Sequence, residues 1–253
     1  MSESDNLELP PKRGIYLLPN LFTTAGLFAG FYAIVAGMKG NFETAAISIF
    51  VAMVMDGLDG RVARLTGTES EFGAQYDSLS DMVCFGVTPA LVVYSWGLQY
   101  LGEFGRYLGK FGWLAAFFYA AATALRLARF NIQTGKSDKK FFIGLPCPAA
   151  AAVVAGMVWV GTDFDIPGKS ICELVAVITI IVASLMVSNV KYHSFKELDF
   201  RAHVPFVAVL LVVITYLLIA WDPPKVLFGM FFLYALSGPV LLVRRYFVKR
   251  RKS

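Results

Sequence analysis

The stretch MDGLDGRVARLTGTESEFGAQYDSLSDMVCFGVT, residues 55–88, carries the chemistry of this chain. It leaves one apolar run, 44–55, and enters another, 82–102. Asp56 and Asp59 end the first run at i, i+3, and Asp77 and Asp81 begin the second at i, i+4, so each pair lies on one helix face. If the two helices pack antiparallel across residues 64–72, the pairs oppose each other and four carboxylates converge at one end of the helices. Like charges at that range cannot all stay ionised unless a cation joins them. An all-oxygen donor set without His or Cys suits Mg²⁺ or Mn²⁺ and suits Zn²⁺ much less. Such ions commonly act on phosphates. Gly57, Gly60 and Gly73 leave room for close approach, and Arg61 and Arg64 supply guanidinium groups that match phosphate geometry. Helix-end charges solvated among lipid headgroups would explain any single Asp, but not four at this spacing with glycines and arginines between them.

The rest of the chain says what solvent surrounds that stretch. Of its 253 residues 57% are hydrophobic and 16% charged, and mean hydropathy is +0.62, which exceeds what one soluble core of this size can hide from water. Charge-free runs recur at 15–38, 44–55, 82–102, 111–125, 141–162, 174–190, 204–221 and 226–243. The spacing predicts an all-α polytopic membrane protein of about eight transmembrane helices. Its parts are an N-terminal segment 1–14, a membrane domain 15–248 and a basic tail 249–253. The first run reads as a retained span, not a cleaved leader. Eight spans return the chain to its starting side. The termini and alternate turns on that side hold 18 basic residues, against Lys39, Arg106, Lys110, Lys169 and Lys225 on the other. The positive-inside rule therefore makes both termini and the carboxylate cluster cytoplasmic. The net charge of +5 comes from membrane-edge residues, which argues for anionic lipid and against nucleic acid. Cys84, Cys147 and Cys172 lack metal-ligand spacing and read as buried, inert thiols.

Asp56, Asp59, Gly60, Ala63, Arg64, Gly73, Asp77 and Asp81 match in every spacing the DxxDGxxAR, eight residues, GxxxDxxxD signature, so the chain resembles the CDP-alcohol phosphotransferases. That resemblance implies an integral membrane enzyme with a six-helix core, the last two spans being additions, and a homodimer. It implies that substituted phosphate passes from a CDP-linked donor to an alcohol, with release of CMP. One divalent ion, Mg²⁺ or Mn²⁺, would be held by Asp56, Asp59 and Asp77 and a second by Asp56, Asp77 and Asp81, with Asp81 as general base. Gly60, Ala63, Arg64 and Gly73 would contact the CDP moiety. Asn20 and Thr23, in PNLFTTAG at 19–26, resemble further nucleotide contacts, although Asn20 is also explained as a helix N-cap. No Ser, Cys or His nucleophile is expected beside the cluster, so a single displacement is expected.

The acceptor must be read elsewhere. LRLARFN at 125–131, FFIGLPCP at 141–148 and SNVKYHSFKEL at 188–198 resemble segments of the type II phosphatidylserine synthases within that family. The resemblance implies CDP-diacylglycerol and L-serine as substrates in a bacterial inner membrane. A serine carboxylate fits a guanidinium, and Arg126 and Arg129, three apart, share a helix face, with Asn131 as a further polar contact. Positive-inside anchoring is the competing account of these arginines and the better reading of Lys136, Lys139 and Lys140. Gly144, Pro146 and Pro148 should break the start of the fifth helix. Lys191, Tyr192, His193 and His203 read as surface polar residues, and scattered aromatics as lipid-facing. Competing readings are another acceptor (glycerol phosphate, inositol phosphate or choline), an archaetidyl donor, a cation channel or transporter with an intramembrane Asp ring, and a purely structural membrane protein.

Overall fold

The computed structural model describes residues 17–133, 141–193 and 206–250. The N-terminal segment 1–14, the tail end 251–253, Lys136, Lys139, Lys140 and His203 lie outside the described residues. Among those described, eight helical rods follow the eight apolar runs. They are α1 (Leu17–Met38), α2 (Phe42–Thr66), a composite third rod, α5 (Arg106–Gln133), α6 (Cys147–Asp163), α7 (Cys172–Val187), α8 (Phe206–Trp221) and α9 (Pro223–Arg250). The third rod joins α3 (Glu71–Asp81), a π-helical segment (Met82–Val87) and α4 (Thr88–Trp96). Five rods are long and apolar enough by themselves to cross a membrane: α1, the third rod, α5, α7 and α9. Helix α6 and the apolar part of α8 are shorter, and α2 carries the first two aspartates and Arg61 and Arg64 inside its length.

Small residues set how close the rods come. Gly26, Ala29, Gly30, Ala33 and Gly37 form a buried stripe along α1 that meets Ala45, Ala46, Ile49 and Ala52 of α2 on one side and the third rod on the other. A Cβ on Gly30 would stand 2.8 Å from Cys84 Sγ. Helix α6 is buried on nearly all sides from Ala149 to Trp159, which is why it shows no polar face. All three cysteines are buried and free, and Phe85, Trp96, Tyr119 and Trp159 are core residues instead of lipid-facing ones.

One element departs from the all-α expectation. Strands β1 (Phe141–Ile143) and β2 (Lys191–His193) pair antiparallel with Phe142 opposite Tyr192. Gly144 follows at φ +80° and donates its N–H to the Val190 carbonyl at 2.8 Å; a Cβ there would collide with the Met186 carbonyl oxygen. Helix α6 then starts at Cys147 between Pro146 and Pro148, where the sequence predicts a break. Tyr192 is not a surface residue. It is fully buried, its phenol pushed up to about 12 by that burial, and its hydroxyl donates to the Ala235 carbonyl at 3.0 Å. That carbonyl would otherwise pair with the amide of residue 239, which is proline within α9.

Contacts sort the loops into two ends. At one, Asn131 donates to Ser78 at 3.0 Å and Arg129 to Asn189 at 2.7 Å. At the other, Lys169 pairs with Glu103 at 2.6 Å and Lys225 with Asp163 at 3.1 Å. The described members of the larger basic group belong to the first end. Gly30→Leu should force α1 off the third rod and lower stability by about 1–3 kcal/mol, read by denaturation in detergent. Gly229→Ala, where a Cβ meets nothing within 4 Å, should stay within about 0.5 kcal/mol of the parent.

Candidate active site

The turn between α2 and the third rod is built by two residues. Gly67 ends α2 in the left-handed region, φ 62° and ψ 29°, with its N–H on the Ala63 carbonyl. Ser70 caps α3, its hydroxyl accepting from the Gly73 amide at 3.0 Å. Asp56 and Asp59 are thereby brought to face Asp77 and Asp81.

One carboxylate oxygen each from Asp56, Asp59 and Asp77 lies within 4.8 Å of the others. Asp81 stands outside that trio but is in hydrogen-bonding contact with Asp56. All four border a gap of about 10 Å³, on the order of the space one small ion or water fills. Two carboxyl groups in hydrogen-bonding contact coexist only by sharing a proton or a cation. The donor set is entirely oxygen and small, which fits a hard divalent ion. Asp59 is 4% exposed and accepts a 2.7 Å hydrogen bond from Thr23 of α1, so its position is fixed from a third helix.

A cavity of about 240 Å³ opens beside the gap and shares Thr23, Asp59 and Asp77 with it. Asn20, Gly60, Ala63, Arg64 and Gly73 complete the set that the sequence singles out, and every one of them borders this cavity. A Cβ on Gly60 would lie 3.9 Å from the Arg64 guanidinium, and one on Gly73 would lie 3.1 Å from Ser70 Oγ and 3.6 Å from Asn20 Oδ1. Asn20 lies within α1, so it is not that helix's N-cap. Arg61 is exposed and does not border the cavity.

Several bordering residues escape the sequence reading. Thr68 and Ser70 come from the turn, where a Gly followed three residues later by Ser marks a helix stop and a helix start. Ser80 and Cys84 also border the carboxylate gap, beside which the sequence reading expects no Ser, Cys or His nucleophile. Both are engaged with α1: Ser80 donates to the Thr23 carbonyl at 3.4 Å and Cys84 to the Gly26 carbonyl at 3.3 Å.

Arg126, Arg129 and Asn131 do not border the cavity. Arg126 is 8% exposed, with Nη1 3.6 Å from Cys147 Sγ and the guanidinium 5.7 Å from the Phe130 ring centre. Its Nε has no hydrogen-bond partner, and no salt bridge among the described residues engages it. Arg129 is held by Asn189 and the Ser188 carbonyl, and Asn131 by Ser78, next to Asp77.

Comparison with known proteins agrees with this arrangement. A family profile described as CDP-alcohol phosphatidyltransferase matches residues 16–188. That range holds six rods, α1 to α7, and leaves α8 and α9 beyond it. A Helicobacter pylori protein named CDP-diacylglycerol--serine O-phosphatidyltransferase is 33% identical over 243 residues, 96% of this chain and 99% of its own length. A Mycobacterium tuberculosis protein of the same name is 37% identical over 160 residues, covering 60% of this chain and 53% of that protein. An archaetidylserine synthase of Methanothermobacter thermautotrophicus is 34% identical over 177 residues, 69% of each. With the signature aspartates gathered at one helix junction and the profile spanning the six rods around them, the chain belongs to the CDP-alcohol phosphatidyltransferase family.

Proposed function

We propose that this chain transfers the phosphatidyl group of CDP-diacylglycerol to the hydroxyl of L-serine, giving phosphatidylserine and CMP, at the cytoplasmic face of a membrane. The observation that carries this reading is the junction of the carboxylate gap with the adjoining cavity, which share Asp59 and Asp77. A donor whose nucleotide fills the cavity beside Arg64 and Gly60 presents its pyrophosphate to the carboxylates. Asp56, Asp59 and Asp77 would hold one Mg²⁺ or Mn²⁺, and Asp56, Asp77 and Asp81 a second. Bound there, such ions offset the charge that grows on the departing CMP oxygen.

The chain's own groups account for the remaining steps. Asn20 and Thr23 bound the nucleotide from α1, Gly60, Ala63 and Gly73 leave it room, and Arg64 pairs with phosphate. The serine oxygen bonds to the phosphorus that carries diacylglycerol. The bond from that phosphorus to the bridging pyrophosphate oxygen breaks, and CMP leaves with the electron pair. Asp81 accepts the hydroxyl proton. Ser80 and Cys84 are tied to α1 carbonyls, which supports direct attack by the acceptor over a covalent enzyme intermediate.

For the acceptor, Arg126 is the strongest of the three candidates. Its guanidinium is buried and lacks a carboxylate partner among the described residues, while Arg129 and Asn131 have partners of their own. A serine carboxylate supplies what it lacks. The names of the relatives agree on serine and differ in the lipid, diacylglycerol in two and archaetidyl in the third. The basic surplus at the site end supports its cytoplasmic orientation.

The acceptor experiment offers purified protein CDP-diacylglycerol with labelled serine, glycerol phosphate, inositol phosphate or choline. Serine should be incorporated with stoichiometric CMP release; product from another alcohol alone would reject the assignment. In the same assay Arg126→Gln should raise the serine KM by on the order of tenfold or more, with the CDP-diacylglycerol KM within about twofold. Asp81→Asn should keep the fold and lose turnover by roughly 10²–10⁴-fold; near-normal turnover would remove Asp81 from the base role.

A further inference from the structure

We propose that Tyr119 is a positioning residue for Asp81, acting through the π-helical segment that begins one residue after it. The inference rests on the base role given to Asp81 above and adds how that carboxylate is held.

Met82–Val87 winds wider than an α-helix: the Thr88 amide reaches back five residues, to the Val83 carbonyl, instead of four. Pro89 follows at once. In α-helical register the amide of residue 89 would serve the Phe85 carbonyl, and proline has no N–H to give. Tyr119, on α5 and fully buried, donates its hydroxyl to that carbonyl at 3.1 Å. A buried carbonyl left without a donor costs about 1–3 kcal/mol; the segment would repack to recover part of that cost.

Such repacking would be felt at Asp81 because the rod is fastened on its opposite side at regular intervals. Ser80, Cys84 and Thr88 donate to the carbonyls of Thr23, Gly26 and Gly30 along α1, at 3.4, 3.3 and 3.2 Å. On the α5 side, Gly86 admits Thr123 so closely that a Cβ would stand 3.1 Å from Thr123 Cγ2. The π-helical winding is thus clamped between α1 and α5, and Tyr119 supplies the α5 hydrogen bond. Asp81 lies at the junction where this winding meets α3, beside Asp56. Helix α9 uses the same device, where Tyr192 serves the Ala235 carbonyl that Pro239 leaves without an amide.

The test uses the full chain in detergent and measures CMP release and thermal unfolding for Tyr119→Phe, for Tyr119→Phe combined with Pro89→Ala, and for Asp81→Asn. Tyr119→Phe keeps the ring and removes only the donor. It should lower kcat by on the order of tenfold while both KM values stay within about twofold, because a displaced base slows chemistry and leaves binding intact. Adding Pro89→Ala restores a backbone amide for the Phe85 carbonyl and should recover at least about half of the lost turnover. Parent-like kcat in folded Tyr119→Phe, or a loss that Pro89→Ala deepens, overturns the proposal. If Tyr119→Phe alone does not fold, the double variant decides: folded and active supports the proposal, folded and inactive overturns it. Asp81→Asn separates the two layers. Turnover retained there sinks the base role and this inference together. Turnover lost there, with Tyr119→Phe at full kcat, sinks this inference alone.

Discussion

Three carboxylate oxygens from Asp56, Asp59 and Asp77 within 4.8 Å of one another, with Asp81 against Asp56, repel at a site where the surrounding rods leave little room for water. At an effective dielectric near 20, each ionised pair at that range costs roughly 3 kcal/mol, and several such pairs meet here. A fold of modest net stability holds that arrangement only if positive charge enters the gap or protons neutralise part of it. A cation that relieves that tension would face the adjoining cavity of about 240 Å³, which the proposed function fills with the donor nucleotide. Neighbouring elements serve this placement. Gly67 and Ser70 fix the turn that opposes the pairs, and Thr23 reaches from α1 to lock Asp59.

The packing around the site follows from chemistry that lipid makes strict. Apolar surface alone does not bring helices together in hydrocarbon, so close contact depends on small side chains and hydrogen bonds. The α1 stripe of Gly and Ala provides the first, and the Ser80, Cys84 and Thr88 bonds to α1 carbonyls provide the second. Backbone groups without water must find partners inside the protein. Pro89 and Pro239 each deprive a carbonyl of its helical donor, and a fully buried tyrosine from another element answers both times.

Much of this was legible in the sequence because hydrocarbon thickness and motif spacing are one-dimensional quantities. Apolar run lengths gave the eight rods, and the offsets of Asp56, Asp59, Asp77 and Asp81 gave the helix faces. Gly60, Ala63, Arg64 and Gly73, which border the cavity, belong to that same fixed-interval pattern, whereas Asn20 stands out only through the separate segment 19–26. What stayed hidden depends on partners distant in sequence. Tyr192 looks like a polar surface residue until the carbonyl at Ala235 is seen opposite it. Tyr119 and Phe85 pass for lipid-facing aromatics until α5 is set against the π-helical segment. The strand pair between residues 141 and 193 spans a separation no local periodicity reports. Both prolines were readable signals in their own right, because a helix-interior proline always asks which donor replaces its amide.

Whether the clustered carboxylates gather divalent cations can be read from anomalous scattering by crystals of the full chain grown with Mn²⁺. Metal binding there requires strong peaks about 2.1 Å from oxygens of Asp56, Asp59 and Asp77, absent from an Asp77→Asn variant. Mn²⁺ bound elsewhere, or four aspartates with ordered side chains and no peak among them at saturating Mn²⁺, would contradict it.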